Sequence, residues 1–225
     1  PGPQLDLPLG GLLAESRVDP APVFPGISQT PWTPPDPTLA VGPDHIVSTV
    51  NMAIAFYQKD GTLDFFANLD STGSPGFFEE LGSGTFTFDP KCFYDHYTDR
   101  FFVLALEYYD GSNESWITVA VSDDSDPNGV WYKYRTWSVF DINGSDYWVD
   151  YPGLGFNEDT FYTTGNLFRL SGGGPGFYHV QSYRVPNRFS DRGAGLLYTV
   201  SCTRSGSMPI LAKALRSAKR GAGQE

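Results

Sequence analysis

Asp89 to Trp137 reads DPKCFYDHYTDRFFVLALEYYDGSNESWITVAVSDDSDPNGVWYKYRTW. Four short runs of aromatic, aliphatic and β-branched residues stand out near Lys91–Tyr94, Arg100–Tyr108, Ser115–Ser122 and Val130–Trp137. Such residues fit a pleated, half-buried surface, and the polar, Gly- and Pro-bearing breaks between them are turn chemistry. Asn128-Gly129 is a hairpin signal, because both residues tolerate the positive φ of a tight primed turn. The stretch predicts one four-stranded antiparallel unit.

Weaker copies flank it. From Asp36 the pattern predicts strands near Leu39–Val41, His45–Val50, Ala53–Gln58 and Thr62–Ala67, with Asp60-Gly61 turning the last hairpin. From Asp150 it predicts strands near Gly153–Phe156, Thr160–Asn166, Phe177–Val185 and Ala194–Val200, with Pro186-Asn187 in the last turn. Each copy opens on Asp and Pro (Asp36-Pro37, Asp89-Pro90, Asp150-Tyr151-Pro152), turns at Asp44, Asp99 or Asp159, and ends its second strand near Asn51, Glu107 or Asn166. The copies start 53 and 61 residues apart, counting from Asp36, Asp89 and Asp150. That spacing suits propeller blades of roughly 40–50 residues with insertions in their loops. A β-sandwich is the main alternative, and it would not need a recurring Asp/Pro opening. The expected fold is therefore all-β: three β-propeller blades at 36–88, 89–149 and 150–203, forming part of a larger ring.

Three phrases carry a family resemblance: DPTLAVGPDHIV at Asp36–Val47, DPNGVWYKY at Asp126–Tyr134 and DYPGLGFNEDTFYTTGNLF at Asp150–Phe168. The region from Pro35 to Val200 resembles the blades of secreted bacterial β-propellers of the sialidase-like type. Asp126, Gly129 and Trp131 stand in the order of that family's Asp-box, although the Asp-to-Gly spacing is one residue too long and Val130 replaces the expected Thr. In that family the box is a structural hairpin, so the likeness implies fold and not catalysis. Sialidase-type turnover would need an arginine cluster, a Tyr nucleophile paired with Glu, and an acidic Asp. Arg100, Arg135, Arg169 and Arg184 are available, but none sits in the family's arginine motif.

The flanks differ from the blades. Residues 1–37 hold ten of the chain's 18 prolines, which exclude helix and central strand; 1–35 reads as a leader or linker. Leu9–Ser16 is too short for a stable isolated helix. The last 22 residues, 204–225, hold five of the 15 basic residues and read as a short basic helical or disordered tail. A basic tail after acidic blades suggests a truncated reading frame, or else a half-ring that pairs with another copy through its open sheet edges.

The net charge of −11 argues against sequence-independent nucleic-acid binding and against anionic membrane surfaces. No apolar run is long enough to span a bilayer. Few lysines, many tyrosines and Asn-Gly turns resemble secreted or cell-surface β proteins. Asn113-Glu114-Ser115 and Asn143-Gly144-Ser145 fit the N-glycosylation pattern. Two cysteines, Cys92 and Cys202, leave one disulfide open; Cys92 reads as a buried small apolar residue. His45, His96 and His179 lack metal-ligand spacing, and Gly172–Gly176 lacks the Lys-Ser/Thr ending of a phosphate loop.

Two constellations remain. Asp124, Asp126 and Asn128 match the first half of a calcium loop, with oxygens at alternate positions and a Gly for the turn; calcium is the cofactor that pattern would take. Arg135 stands where a true EF-hand needs its bidentate Glu, so the competing reading is an ordinary Asx turn. The recurring Asp36, Asp89 and Asp150, with Asn51, Glu107 and Asn166, would converge on one end of a ring as a polar ligand or cation site, unless each Asp only caps its own turn. Tyr147, Trp148 and Tyr151 are the aromatic residues best placed to stack on a sugar. The expected ligand residues are thus Tyr147, Trp148, Tyr151, Glu107 and Asn166. The expected function is a non-enzymatic secreted module that binds glycan or protein through loops. The alternative is a sialidase-like glycoside hydrolase with part of its site outside this chain.

Overall fold

The structure, a computed structural model, describes residues 23–28, 30–72, 76–142 and 144–170, with the backbone course of 179–186 and 198–201. Leu9–Ser16, Asn143, Gly172–Gly176, the turn at Asn187, Cys202 and the tail 204–225 lie outside the described residues. The protein is all-β, built of three antiparallel sheets. The first holds β1 (Thr38–Val41), β2 (His45–Val50), β3 (Ala53–Gln58) and β4 (Leu63–Asn68) in sequence order. The second holds β5 (Thr87–Asp95), β6 (Arg100–Tyr109), β7 (Glu114–Ser122) and β8 (Trp131–Trp137), again in order. The third joins β9 (Phe140–Ile142), β10 (Ser145–Phe156), β11 (Thr160–Arg169), β12 (His179–Pro186) and β13 (Tyr198–Ser201).

The third sheet departs from expectation. It begins at Phe140 and has five strands, where the pattern predicts a four-stranded unit from Asp150. The cause is proline. Pro lacks the amide proton and normally ends a strand, so the strands were expected to start after Pro90 and Pro152. Both prolines sit instead inside a long strand at a bulge. Pairing of β5 with β6 jumps between Phe88 and Lys91, and pairing of β10 with β11 jumps between Asp150 and Gly153. A bulge leaves its extra residue out of the ladder, which removes the need for the missing donor.

The second sheet lies between the other two, and its sequence shows it. In β6, RFFVLALEYY, residues 101 to 107 are all buried. A strand covered on one face alternates apolar and polar, whereas one covered on both faces reads as a continuous apolar run. Phe101, Val103 and Ala105 join Ile54, Phe56, Phe77 and Trp131 in a core between the first and second sheets. Phe102, Leu104 and Leu106 join Val149, Phe161 and Leu167 in a core between the second and third. Phe56 stacks on Trp131 at 5.7 Å and Phe93 on Phe102 at 4.7 Å. Truncating a buried Phe such as Phe101 or Phe102 costs about 3–5 kcal/mol, because it removes transfer energy and leaves a cavity.

The first strands of the sheets come together, with β5 between β1 and β10. Part of the leader packs back on the sheets: the Phe24 ring lies 5.6 Å from Tyr57 and Trp32 meets Phe86 at 4.8 Å. Among the described residues no helix is long and apolar enough to cross a membrane.

Candidate functional site

The residue before the proline has a positive φ in every sheet: 42° at Asp36, 47° at Asp89 and 47° at Tyr151. Non-glycine residues seldom enter this region; Asp tolerates it, while a bulky Tyr does so at a strain of roughly 1–3 kcal/mol. Hydrogen bonds between sheets hold these turns. Asn51 Nδ2 donates to Asp36 Oδ2 at 2.7 Å and to the Pro34 carbonyl at 2.8 Å. Asn51 Oδ1 accepts the Asp89 backbone N–H at 2.7 Å, and Asp89 Oδ2 accepts the Tyr151 backbone N–H at 3.1 Å. One chain of contacts, Asp36–Asn51–Asp89–Tyr151, therefore runs from the residues before β1 to the bulges of the second and third sheets.

This geometry gathers Asp36, Asp89 and Asp150. Burial, the Asp150 charge and then the Asp36 charge push the Asp89 carboxyl up to about 6. Burial also raises Asp150, whose side chain hydrogen-bonds to Asp89. Burial first, and the neighbouring like charges after it, disfavour the ionised form of Asp89.

Beside the bulges a cavity of about 510 Å³ opens between the first strands, lined by Thr38, Lys91, Phe93, Tyr151, Leu154 and Phe156 among others. Tyr151 is 61% exposed, and the Lys91 ammonium sits 5.3 Å above its ring. β9 pairs only with residues 145–147 of β10, so the edge of β10 from Tyr151 to Phe156 has no second strand partner among the described residues.

Of the expected ligand residues, the structure brings Tyr151 to this cavity, while Asn166 pairs in register with Asp150 and does not line it. Tyr147 lies in the core between the second and third sheets. Trp148 is half-buried, stacked on Tyr108 at 4.4 Å and near Phe168. Glu107 is fully buried on β6 of the second sheet. Its carboxylate accepts from Arg135 Nε at 3.0 Å, Arg135 Nη2 at 2.6 Å and the Tyr109 hydroxyl at 2.7 Å. Burial pushes the Glu107 carboxyl up, and these donors pull it back down. Arg135 in turn covers the Trp116 ring at 4.1 Å, and Tyr109 accepts the Gly84 N–H at 2.6 Å. Glu107 thus anchors a salt bridge.

The expected calcium loop is folded on itself. Asp124 Oδ1 accepts the Asp126 N–H at 2.7 Å, and Asp126 Oδ1 accepts the Asn128 N–H at 2.9 Å. The turn also reaches the first sheet, with His45 Nε2 lying 3.4 Å from Asp64 Oδ2, 3.8 Å from Asp126 Oδ1 and 3.4 Å from Asn128 Nδ2. Among the described residues no group of three or more His, Cys, Asp or Glu is arranged to hold a metal ion. Cys92 is buried and free, its thiol pushed up to about 12 by burial.

Two features escaped the sequence. Asn51 looked like a strand end, yet it ties two sheets. Tyr151, not Asp150, is the backbone equivalent of Asp36 and Asp89. Alignment on the prolines (Pro37, Pro90, Pro152) rather than on the acids would have shown the second. No family model matches the chain, and no curated protein is significantly similar to it.

Proposed function

We propose that the three sheets are successive blades of a β-propeller, and that the protein is a non-enzymatic secreted or cell-surface module that holds a glycan or polypeptide ligand in the groove between the innermost strands. The observation that carries this reading is the cavity lined by the exposed Tyr151, by Thr38 and by residues 152–156 of β10, whose edge there has no second strand partner among the described residues. An aromatic face takes the apolar side of a sugar ring or a side chain, and unpaired strand amides take its polar groups. Binding is favoured over turnover by the fate of the arginines. Arg135 is committed to the buried Glu107 and is withdrawn from any cluster that could grip a substrate carboxylate.

A glycan array run beside a panel of fluorogenic glycosides tests the reading. The expected result is binding without turnover, weakened at least tenfold by Tyr151→Ala. Turnover of any glycoside, or binding untouched by Tyr151→Ala, contradicts it.

A further inference from the structure

Asp70 lies in the connection from β4 to β5 and is fully buried. Its Oδ1 accepts the Thr72 N–H at 2.9 Å and the Thr72 hydroxyl, while its Oδ2 has no hydrogen-bond partner. No Lys, Arg or His forms an ion pair with it among the described residues. The adjoining residues 73–75 are Gly, Ser and Pro, and bring no cation. An ionised carboxyl held away from water needs a positive partner, because leaving water costs far more than one hydrogen bond returns.

Two more buried oxygens on the same stretch, Ser83 Oγ and Thr87 Oγ1, also lack a partner. With Asp70 Oδ2 they are all the unpaired buried side-chain oxygens among the described residues; the one other unpaired polar atom is a nitrogen, His45 Nδ1. Hydrogen bonds fold the connection on itself and bring the three residues into one neighbourhood. Ser71, beside Asp70, donates its N–H at 3.0 Å and its hydroxyl at 2.7 Å to the carbonyl of Gly84, beside Ser83. The Gly84 N–H goes to the Tyr109 hydroxyl, which donates to Glu107, the residue opposite Thr87 in the ladder. Gly76 packs so close that an added Cβ would run into the Asp70 carbonyl.

Unpaired buried oxygens gathered in one place mark a bound water or ion. A set made of oxygens alone, with no nitrogen or sulfur, suits a hard cation. Charge decides the class. Arg135 already neutralises Glu107, so one carboxyl is left in this neighbourhood, and it balances one positive charge. A divalent ion would leave an excess charge buried. We infer that Asp70, Ser83 and Thr87 bind a monovalent alkali cation, sodium or potassium, which pins the connection between the first two sheets to the start of β5.

Melting temperatures of the full chain in sodium, potassium and tetramethylammonium chloride at one ionic strength read the site. Tetramethylammonium screens equally but is too bulky to enter. Sodium or potassium is expected to raise the melting temperature by about 3–6 °C over tetramethylammonium, the shift for an ion at roughly ten times its Kd. Asp70→Asn keeps an oxygen for Thr72 but removes the charge, and is expected to abolish the shift. Thr87→Val keeps the shape but removes the hydroxyl, and is expected to remove most of it. Asp60→Asn, in an exposed turn, retains it. A crystal of the unaltered protein soaked in rubidium chloride needs no variant, and is expected to show an anomalous peak beside Asp70 Oδ2. Equal melting temperatures in the three salts overturn the inference. So does an alkali shift that survives Asp70→Asn, or a rubidium crystal with no peak at Asp70. A fall in melting temperature on adding EDTA that Asp70→Asn removes would mean a divalent ion, and overturns the monovalent assignment.

Discussion

Asn51 Oδ1 accepts the backbone N–H of Asp89 at 2.7 Å, and through this contact the first sheet fixes the bulge of the second. The same amide donates to Asp36 and to the Pro34 carbonyl, so a nearly buried side chain satisfies three groups. Asn51→Ala leaves those groups unpaired and is expected to cost about 2 kcal/mol, since each orphaned polar group costs ~1–3 kcal/mol and water recovers part of it. Urea denaturation reads the loss. Asn51→Asp keeps the acceptor but sets a carboxylate against Asp36, so its loss is greater at pH 8 than at pH 5.

Asp89 gives the fold a pH signature. Its carboxyl is raised from the ordinary 3.8 to about 6, so the folded state binds more protons than the unfolded state between those values. Stability is then full near pH 4 and declines as pH rises toward 6. Asp89→Asn retains an acceptor for the Tyr151 N–H and removes the repulsion. It is expected to flatten that decline and to stabilise the protein at pH 7.5 by about 1 kcal/mol, a figure kept small because water still reaches the site. An unchanged slope from pH 4 to 6 would show that the three acids do not interact.

The Glu107–Arg135 pair links β6 and β8 of the second sheet, and among the described residues it is the one salt bridge with a fully buried partner. Arg135→Met strands a carboxylate in the core and is expected to cost about 3–5 kcal/mol. Burial then acts without the guanidinium, so the loss grows as pH rises through the elevated Glu107 range. Glu107→Leu/Arg135→Met together recover most of the loss, since neither charge is left alone. Thermal melts of the two singles and the double give the coupling.

At Asp124–Asn128 the carboxylates already serve backbone N–H groups. Those bonds hold the turn without an ion, so millimolar EDTA is expected to leave the melting temperature unchanged. A fall on chelation, restored by calcium, would mean that the turn reorganises around the ion.

Local chemistry made much of the fold legible. His45–Val50 and Ala53–Gln58 form strands at the residues expected, because Asp60-Gly61 fixes the next turn and the apolar runs are uninterrupted. The long β10 was hidden because Pro152 reads as a stop, and only pairing to β11 shows that the strand continues through a bulge. The site was less legible for a related reason. Tyr147 and Tyr151 are both aromatic residues beside an acid, but strand alternation buries the first and the positive φ at the proline exposes the second. Glu107 reads from sequence as a ligand residue at a strand end, and its partner Arg135 lies 28 residues away on β8. Asn51 and Asp89 are 38 residues apart. Contacts at such separations follow from how sheets stack, which no local pattern encodes.

The proposed ring-like order of the sheets is tested most directly by spin-label distances among Asp44, Asp99 and Asp159, each exposed and each the residue just before β2, β6 or β11. Labels are placed as cysteines in a Cys202→Ser background, two at a time, in chains diluted with unlabelled protein. The proposal predicts equal distances for Asp44–Asp99 and Asp99–Asp159, with Asp44–Asp159 longer by a factor of about 1.4 to 1.8, the chord ratios of rings of four to eight blades. A factor of about 2 would mean sheets stacked in a straight line, and unequal neighbour distances would mean that the three repeats are not equivalent blades.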